Sequence, residues 1–202
     1  MMLRADVLCL TETWLMSDNA PESAQIRGYE LCLNSKGRGK GIAMYTKTTF
    51  DEVYTHIKAD KAQMTKLSTP YVDVINIYRS QGANNSELVE DLGQMIQEGY
   101  PTIICGDLNM CFLTNRNNVV TRLLEGLGFE QLVKEASHLL GGHIDHVYSN
   151  LHHCSRFKPH IQMHSPYYTS HDHDAFLITI TYVDVDGSTR KEVYKNNSYI
   201  KQ

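Results

Sequence analysis

Several apolar runs in this 202-residue chain stop at, or start just after, a side chain able to do chemistry. Glu12 follows the run 7–10, and Tyr78 ends the most strand-like stretch, 71–78. Asp107 and Asn109 follow the run 102–105, Asp145 lies within 143–148, and Asp172 and His173 precede 175–182. In a sheet of mixed direction, the end of one strand and the start of its antiparallel neighbour share an edge. Carboxylates, an amide, a phenol and an imidazole are thereby expected at one rim. A hard cation such as Mg²⁺ takes oxygen ligands, commonly one or two carboxylates with water and substrate phosphate. Phosphodiester hydrolysis needs phosphoryl charge neutralised and a water activated in line. The residue types suit that chemistry.

The elements that must position these groups are legible as periods. Strands are predicted over 7–10, 29–33, 42–46, 51–58, 71–78, 102–105, 143–148, 156–163 and 175–182. Leu88, Val89, Leu92, Met95 and Ile96 recur at helical spacing, predicting a helix over 86–98 with Ser86 as its N-cap. A second helix is predicted over 118–126, stopping near Gly126 and Gly128. The glycine-rich stretch 36–41 lacks the GK[ST] ending and following helix of a phosphate loop. It reads as a basic hairpin turn whose Lys36, Arg38 and Lys40 face a nucleic-acid backbone. Asp186-Gly187 reads as another hairpin turn, and the polar stretch 195–202 as a loose tail. Nine strands in mixed order with two helices imply an α/β sandwich, with stacked sheets inside and helices outside.

Composition narrows the class. The net charge of −4 argues against a static nucleic-acid-binding module more than against a metal enzyme, because a bound cation masks carboxylates. Five cysteines without a CxxC spacing imply free thiols and a reduced, intracellular compartment. No apolar run approaches a membrane span, and the first residues lack the apolar core of a signal peptide. Nine of the ten histidines lie after residue 137. A zinc site from His143, His146, His171 and His173 is disfavoured, since His143 and His146 on one strand would face opposite ways. His173 is the expected reactive imidazole, His138 a rim residue and most of the others surface residues.

Five blocks then occur in order: Thr11-Glu12-Thr13-Trp14, Ile77-Tyr78-Arg79, Gly106-Asp107-Leu108-Asn109, His143-Ile144-Asp145-His146 and Asp172-His173-Asp174-Ala175. Together they resemble the endonuclease/exonuclease/phosphatase superfamily, and most closely the apurinic-like endonuclease domains of retrotransposons and rolling-circle transposons. The resemblance runs from about Arg4 to Tyr182. It implies a four-layered α/β sandwich with Mg²⁺, or Mn²⁺, at the rim. By the same resemblance Glu12 and Asp172 hold metal. Tyr78, Arg79, Asn109 and His173 contact phosphate. Asp107 positions or deprotonates the attacking water, and Asp145 hydrogen-bonds His173. The family pattern begins with an asparagine-bearing strand and a helix, whereas this chain starts at the strand after them, which implies a truncated sandwich. The family also has Ser directly before Asp-His, and here His171 intervenes.

The expected domain spans 1–183, with a hairpin or loose tail over 184–202. The implied activity is metal-dependent hydrolysis of DNA phosphodiesters by a mobile-element endonuclease domain. The alternative is a catalytically impaired remnant with at most weak nucleic-acid binding. The expected partner is DNA, without membrane association. The chain is expected to be a monomer or part of a longer polyprotein, acting in the nucleus if it serves a replicating element.

Overall fold

The computed structural model describes residues 5–16, 20–35, 37, 40–48, 53–58, 61–164, 172–183 and 189–196. Lys36, Arg38 and Gly39 of the basic turn, Ser170 and His171, the Asp186-Gly187 turn and residues 197–202 lie outside them.

Two six-stranded mixed sheets are stacked face to face. The first contains β1 (Val7–Thr11), β2 (Tyr29–Asn34), β3 (Ile42–Lys47), β10 (Phe157–His164), β11 (Ala175–Val183) and β12 (Thr189–Asn196), in the order β10-β11-β12-β1-β3-β2. The second contains β4 (Val53–Lys58), β5 (Ala62–Ser68), β6 (Asp73–Arg79), β7 (Thr102–Asp107), β8 (Glu130–Gln131) and β9 (Asp145–Ser149), in the order β4-β5-β6-β7-β9-β8. Val7, Cys9, Met44, Phe176, Ile178 and Ile180 from the first sheet meet Leu67, Val74, Ile103, Cys105 and Val147 from the second. Helices α1 (Asn85–Met95) and α2 (Val119–Gly126) cover the outer face of the second sheet through Leu88, Leu92, Met95, Val120 and Leu124. Among the described residues no helix of comparable length covers the outer face of the first sheet. Leu8, Leu10, Ala43 and Tyr45 there pack against Ile26 and Tyr29. The architecture is the expected α/β sandwich of stacked mixed sheets with helices outside.

Polar side chains tie the sheets together. Asn76 on β6 donates to the carbonyls of Leu10 (3.0 Å) and Ala43 (3.2 Å). Asn34 on β2 donates to those of Ile57 and Met64. Gln63 on β5 accepts from Gly41 N–H at 2.8 Å. Each bond gives one end of a buried side-chain amide a partner in place of water, the Nδ2 of Asn76 and Asn34 and the Oε1 of Gln63.

The structure corrects several expectations. β5 has no counterpart among the predicted strands, because its buried Gln63 and Thr65 hide the apolar pattern. α1 is capped by Asn84, whose Oδ1 accepts from Ser86 N–H at 2.9 Å, so Ser86 lies inside the helix. β9 starts at Asp145, and the strand alternation does not reach back to His143. Beyond residue 183 the chain returns along β11 as β12 and lies between β11 and β1.

Candidate active site

Three site residues form one row across the second sheet. Tyr78 is in register with Asp107 on the parallel pair β6–β7, and Asp107 with Asp145 on the antiparallel pair β7–β9. Gly106 makes this row possible. Its φ is +139°, and a Cβ there would lie 1.9 Å from the Ile77 carbonyl oxygen, so only glycine lets the strands approach. The chain then turns at Asn109, whose φ of +47° lies in the left-handed region. Asp107 Oδ1 accepts from Asn109 N–H (2.8 Å) and Oδ2 from Asn109 Nδ2 (3.0 Å). Asn109 Nδ2 also donates to the Arg79 carbonyl at 2.9 Å.

The first sheet supplies the opposing groups. Glu12 follows β1 with φ of +50°. The next residues are pinned to the strand entering β3, with Thr13 N–H donating to Gly41 O and Trp14 N–H to Lys40 O, both at 3.1 Å. Tyr78 Oη donates to Glu12 Oε1 at 3.0 Å, and His173 Nδ1 donates to Asp145 Oδ2 at 2.8 Å. Each bond joins a strand of the second sheet to a residue flanking a strand of the first, so the site lies on the seam of the sandwich.

Electrostatics follow from this crowding. Burial and the charge of Asp145 push the Asp107 carboxyl up to about 8; Asn109 N–H and His173 pull it down, and Glu12 pushes it further up. Burial disfavours a charged His173, but the hydrogen bond and charge of Asp145, with Asp107 and Asp172, outweigh it and raise the ring to about 9. His173 is therefore an imidazolium at neutral pH. Burial and the charge of Glu12 raise the Tyr78 phenol, so it remains a hydroxyl donor.

The structure brings Tyr78, Asp107, Asn109, Asp145 and His173 together, with Glu12 against Tyr78. Asp172 precedes His173 and is half exposed, with its Oδ2 3.7 Å from His138 Nε2. Arg79 has a different task from the expected phosphate contact. It is buried, its Nη1 donates to Leu108 O at 3.2 Å and its Nη2 to Ala83 O at 2.6 Å. The guanidinium thus braces the Asp107–Asn109 loop from behind.

Two further histidines, His143 and His146, are also buried. His146 Nε2 donates to Met110 O at 2.8 Å, and its Nδ1 meets Gln131 Nε2 at 2.9 Å. Both ring nitrogens are thereby used, which removes His146 from any zinc site. His143 is fully buried against Phe112 and His146. Among the described residues, the group that could hold a metal is His138, Asp172 and His173, with ligand atoms within 4.8 Å of one another.

Ser137 lacks a sequence signal. It is fully buried, and its hydroxyl oxygen accepts from Ile144 N–H (3.2 Å) and Asp145 N–H (3.0 Å). Its carbonyl accepts from Asp174 N–H at 2.8 Å, and Leu139 N–H donates to Asp172 O at 2.7 Å. Residues 137–139 therefore hold Asp145 and the Asp172-His173 pair in mutual register.

The profile of the Endonuclease/Exonuclease/phosphatase family matches residues 2–171. The chain belongs to this family. It is similar in structure to the endonuclease domain of TRAS1, a telomere-specific non-LTR retrotransposon (TM-score 0.59, 13% identity, 87% of this chain and 85% of that one). It is also similar to TDP2 from C. elegans (TM-score 0.59, 15% identity, 85% of this chain and 63% of that one). A third likeness is the Haemophilus ducreyi cytolethal distending toxin (TM-score 0.54, 12% identity, 85% and 84%). At these identities the likeness is one of fold. No curated protein matches the chain by sequence. Among the described residues no helix is long and apolar enough to cross a membrane.

Proposed function

We propose that this member of the Endonuclease/Exonuclease/phosphatase family is a divalent-metal-dependent phosphodiesterase that cuts DNA, the endonuclease domain of a mobile element. The observation that carries the reading is the Tyr78–Asp107–Asp145 row facing Glu12 and His173 across the seam, with an acid–imidazole hydrogen bond at one end. The mobile-element assignment is supported by the five ordered sequence blocks and by the fold shared with the TRAS1 endonuclease domain.

The donor set fits a hard cation. Asp107 is raised partly by the charges of Asp145 and Glu12, and a nearby cation relieves that repulsion. Glu12 and Asp172 are the proposed ligands for Mg²⁺, with Mn²⁺ able to substitute. A bound ion would neutralise charge on the phosphoryl oxygens. Asp107, with a carboxyl near working pH, takes the proton of the attacking water. Asn109 holds Asp107 in place through both carboxylate oxygens. His173 presents a charged ring to a phosphoryl oxygen, and Asp145 fixes its orientation and stabilises its charge. Tyr78 orients Glu12 through its hydroxyl.

Nicking of supercoiled plasmid tests the reading. With Mg²⁺ the chain should produce open circles, EDTA should stop it, and Asp107→Ala should slow it by roughly 100-fold or more. Equal nicking by the wild type and Asp107→Ala, or none with either Mg²⁺ or Mn²⁺, would refute it.

A further inference from the structure

His138 stands beside the reactive imidazole but has no part in the mechanism above. Its ring packs edge-to-face against that of His173, with centroids 4.7 Å apart and planes at 87°. The contact is enforced by the backbone, because residues 138 and 173 form an isolated antiparallel bridge. The side chain of His138 is largely buried, with one edge open to the rim (16% exposed).

Its tautomer follows from its partners. His138 Nδ1 accepts from Leu140 N–H at 3.1 Å, so that nitrogen carries the lone pair. The ring proton must then sit on Nε2. Nε2 has Asp172 Oδ2 at 3.7 Å, beyond hydrogen-bond reach. A metal at Nε2 would require the proton on Nδ1, where it would confront Leu140 N–H. The His138, Asp172, His173 group therefore matches metal spacing without matching metal chemistry at His138.

We infer that His138 is a second phosphate-contacting residue, an Nε2–H donor that works beside His173 on the phosphoryl group. This rests on the reading that a phosphodiester sits over His173. Two imidazole rings with centroids 4.7 Å apart suit two oxygens of one phosphoryl group, or one oxygen between them. The tight turn fixes the donor before substrate arrives: Gly141 N–H donates to His138 O (2.8 Å), and His138 N–H to Gly142 O (2.9 Å). A preorganised donor needs no reorganisation when charge develops.

The test uses phosphate binding to the full chain without metal, so it does not depend on turnover. Ring ¹⁵N spectra of the histidines should show His138 as the Nε2–H tautomer. Inorganic phosphate, and dimethyl phosphate as a diester, should shift the Nε2 signals of His138 and His173 together. His138→Asn keeps an acceptor for Leu140 N–H but has no distal donor, and should weaken phosphate binding about tenfold. His138→Gln places an N–H near the Nε2 position, and should stay within about threefold of wild type. A His138 signal that moves with added Zn²⁺ or Mn²⁺ but not with phosphate would overturn the inference. So would wild-type binding by His138→Asn. Paired shifts in a chain that fails to nick DNA would support His138 and refute only the nuclease reading.

Discussion

Burial depresses the His146 ring to about 3; the Met110 carbonyl opposes this and His143 adds to it. The ordinary value is near 6.5. Between these limits the unfolded chain binds a proton that the folded chain refuses, so stability falls as pH drops from about 6.5 toward 3. Asp107 and His173 act in the opposite sense. Their folded values lie above the unfolded ones, so their contributions are present at low pH and lost as pH rises toward about 8 and 9. The difference between wild type and His146→Gln isolates the one group. Urea unfolding at a series of pH values should show wild type losing about 1.4 kcal/mol per pH unit more than the variant across the middle of that window. Parallel curves would show that the ring is not held neutral. His146 also shows what residue type alone conceals. Glu12, Tyr78, Asp107, Asn109, Asp145 and His173 were legible because their types and their places at strand ends announce chemistry. His146 and Arg79 have equally reactive types, and only their partners, Met110 O, Gln131, Leu108 O and Ala83 O, reveal them as braces.

At the scale of elements, the closeness of β6 and β7 is the feature on which the site's row depends. Gly106 faces Ile77 in register, and any side chain at 106 must enter the space of the Ile77 peptide. Backbone cannot swing aside as the end of a flexible side chain can. Gly106→Ala should therefore destabilise the fold by about 3 kcal/mol or more, through steric conflict and a φ that alanine adopts at a cost. Chemical denaturation would read this directly, and a loss under 1 kcal/mol would show that the strands separate easily. The same strands show which elements a sequence displays. β6 and β7 are apolar on both faces and were plain. β5 lies beside them yet has no sequence signal, since Gln63 and Thr65 look like loop residues until the facing sheet supplies a partner for Gln63. The first helix is plain from its 3.6-residue period and the second from its glycine stop, and each is capped by an asparagine, Asn84 and Asn118. Asn118 was included in its helix by composition, whereas its Oδ1 accepts from Val120 and Thr121 N–H and closes the first turn.

Across the whole molecule, the two halves of the site reach the first sheet by different routes. Glu12 leaves the end of β1, and Asp172-His173 lead into β11. These strands are not neighbours. β12 lies between them, pairing antiparallel with β11 from Phe176↔Asn196 to Val183↔Thr189 and parallel with β1 from Val7↔Tyr194 to Cys9↔Asn196. A boundary at residue 183 would leave every proposed catalytic residue in the shorter piece. If 184–202 were only an appendage, a chain ending at 183 would fold and cut like the full one. The sheet order argues otherwise. Without β12, β1 and β11 lose their shared partner, and each exposes a row of backbone groups where an interior pairing stood. The core side chains Phe176, Ile178 and Ile180 on β11 then hold to the second sheet by packing alone. The chain 1–183 is expected to lose cooperative unfolding in urea, with a midpoint well below that of 1–202, and to nick plasmid at least tenfold more slowly. Adding residues 189–196 back as a peptide should restore part of both by pairing at the opened edge. Equal midpoints and equal nicking for 1–183 and 1–202 would show that β12 contributes nothing to the seam.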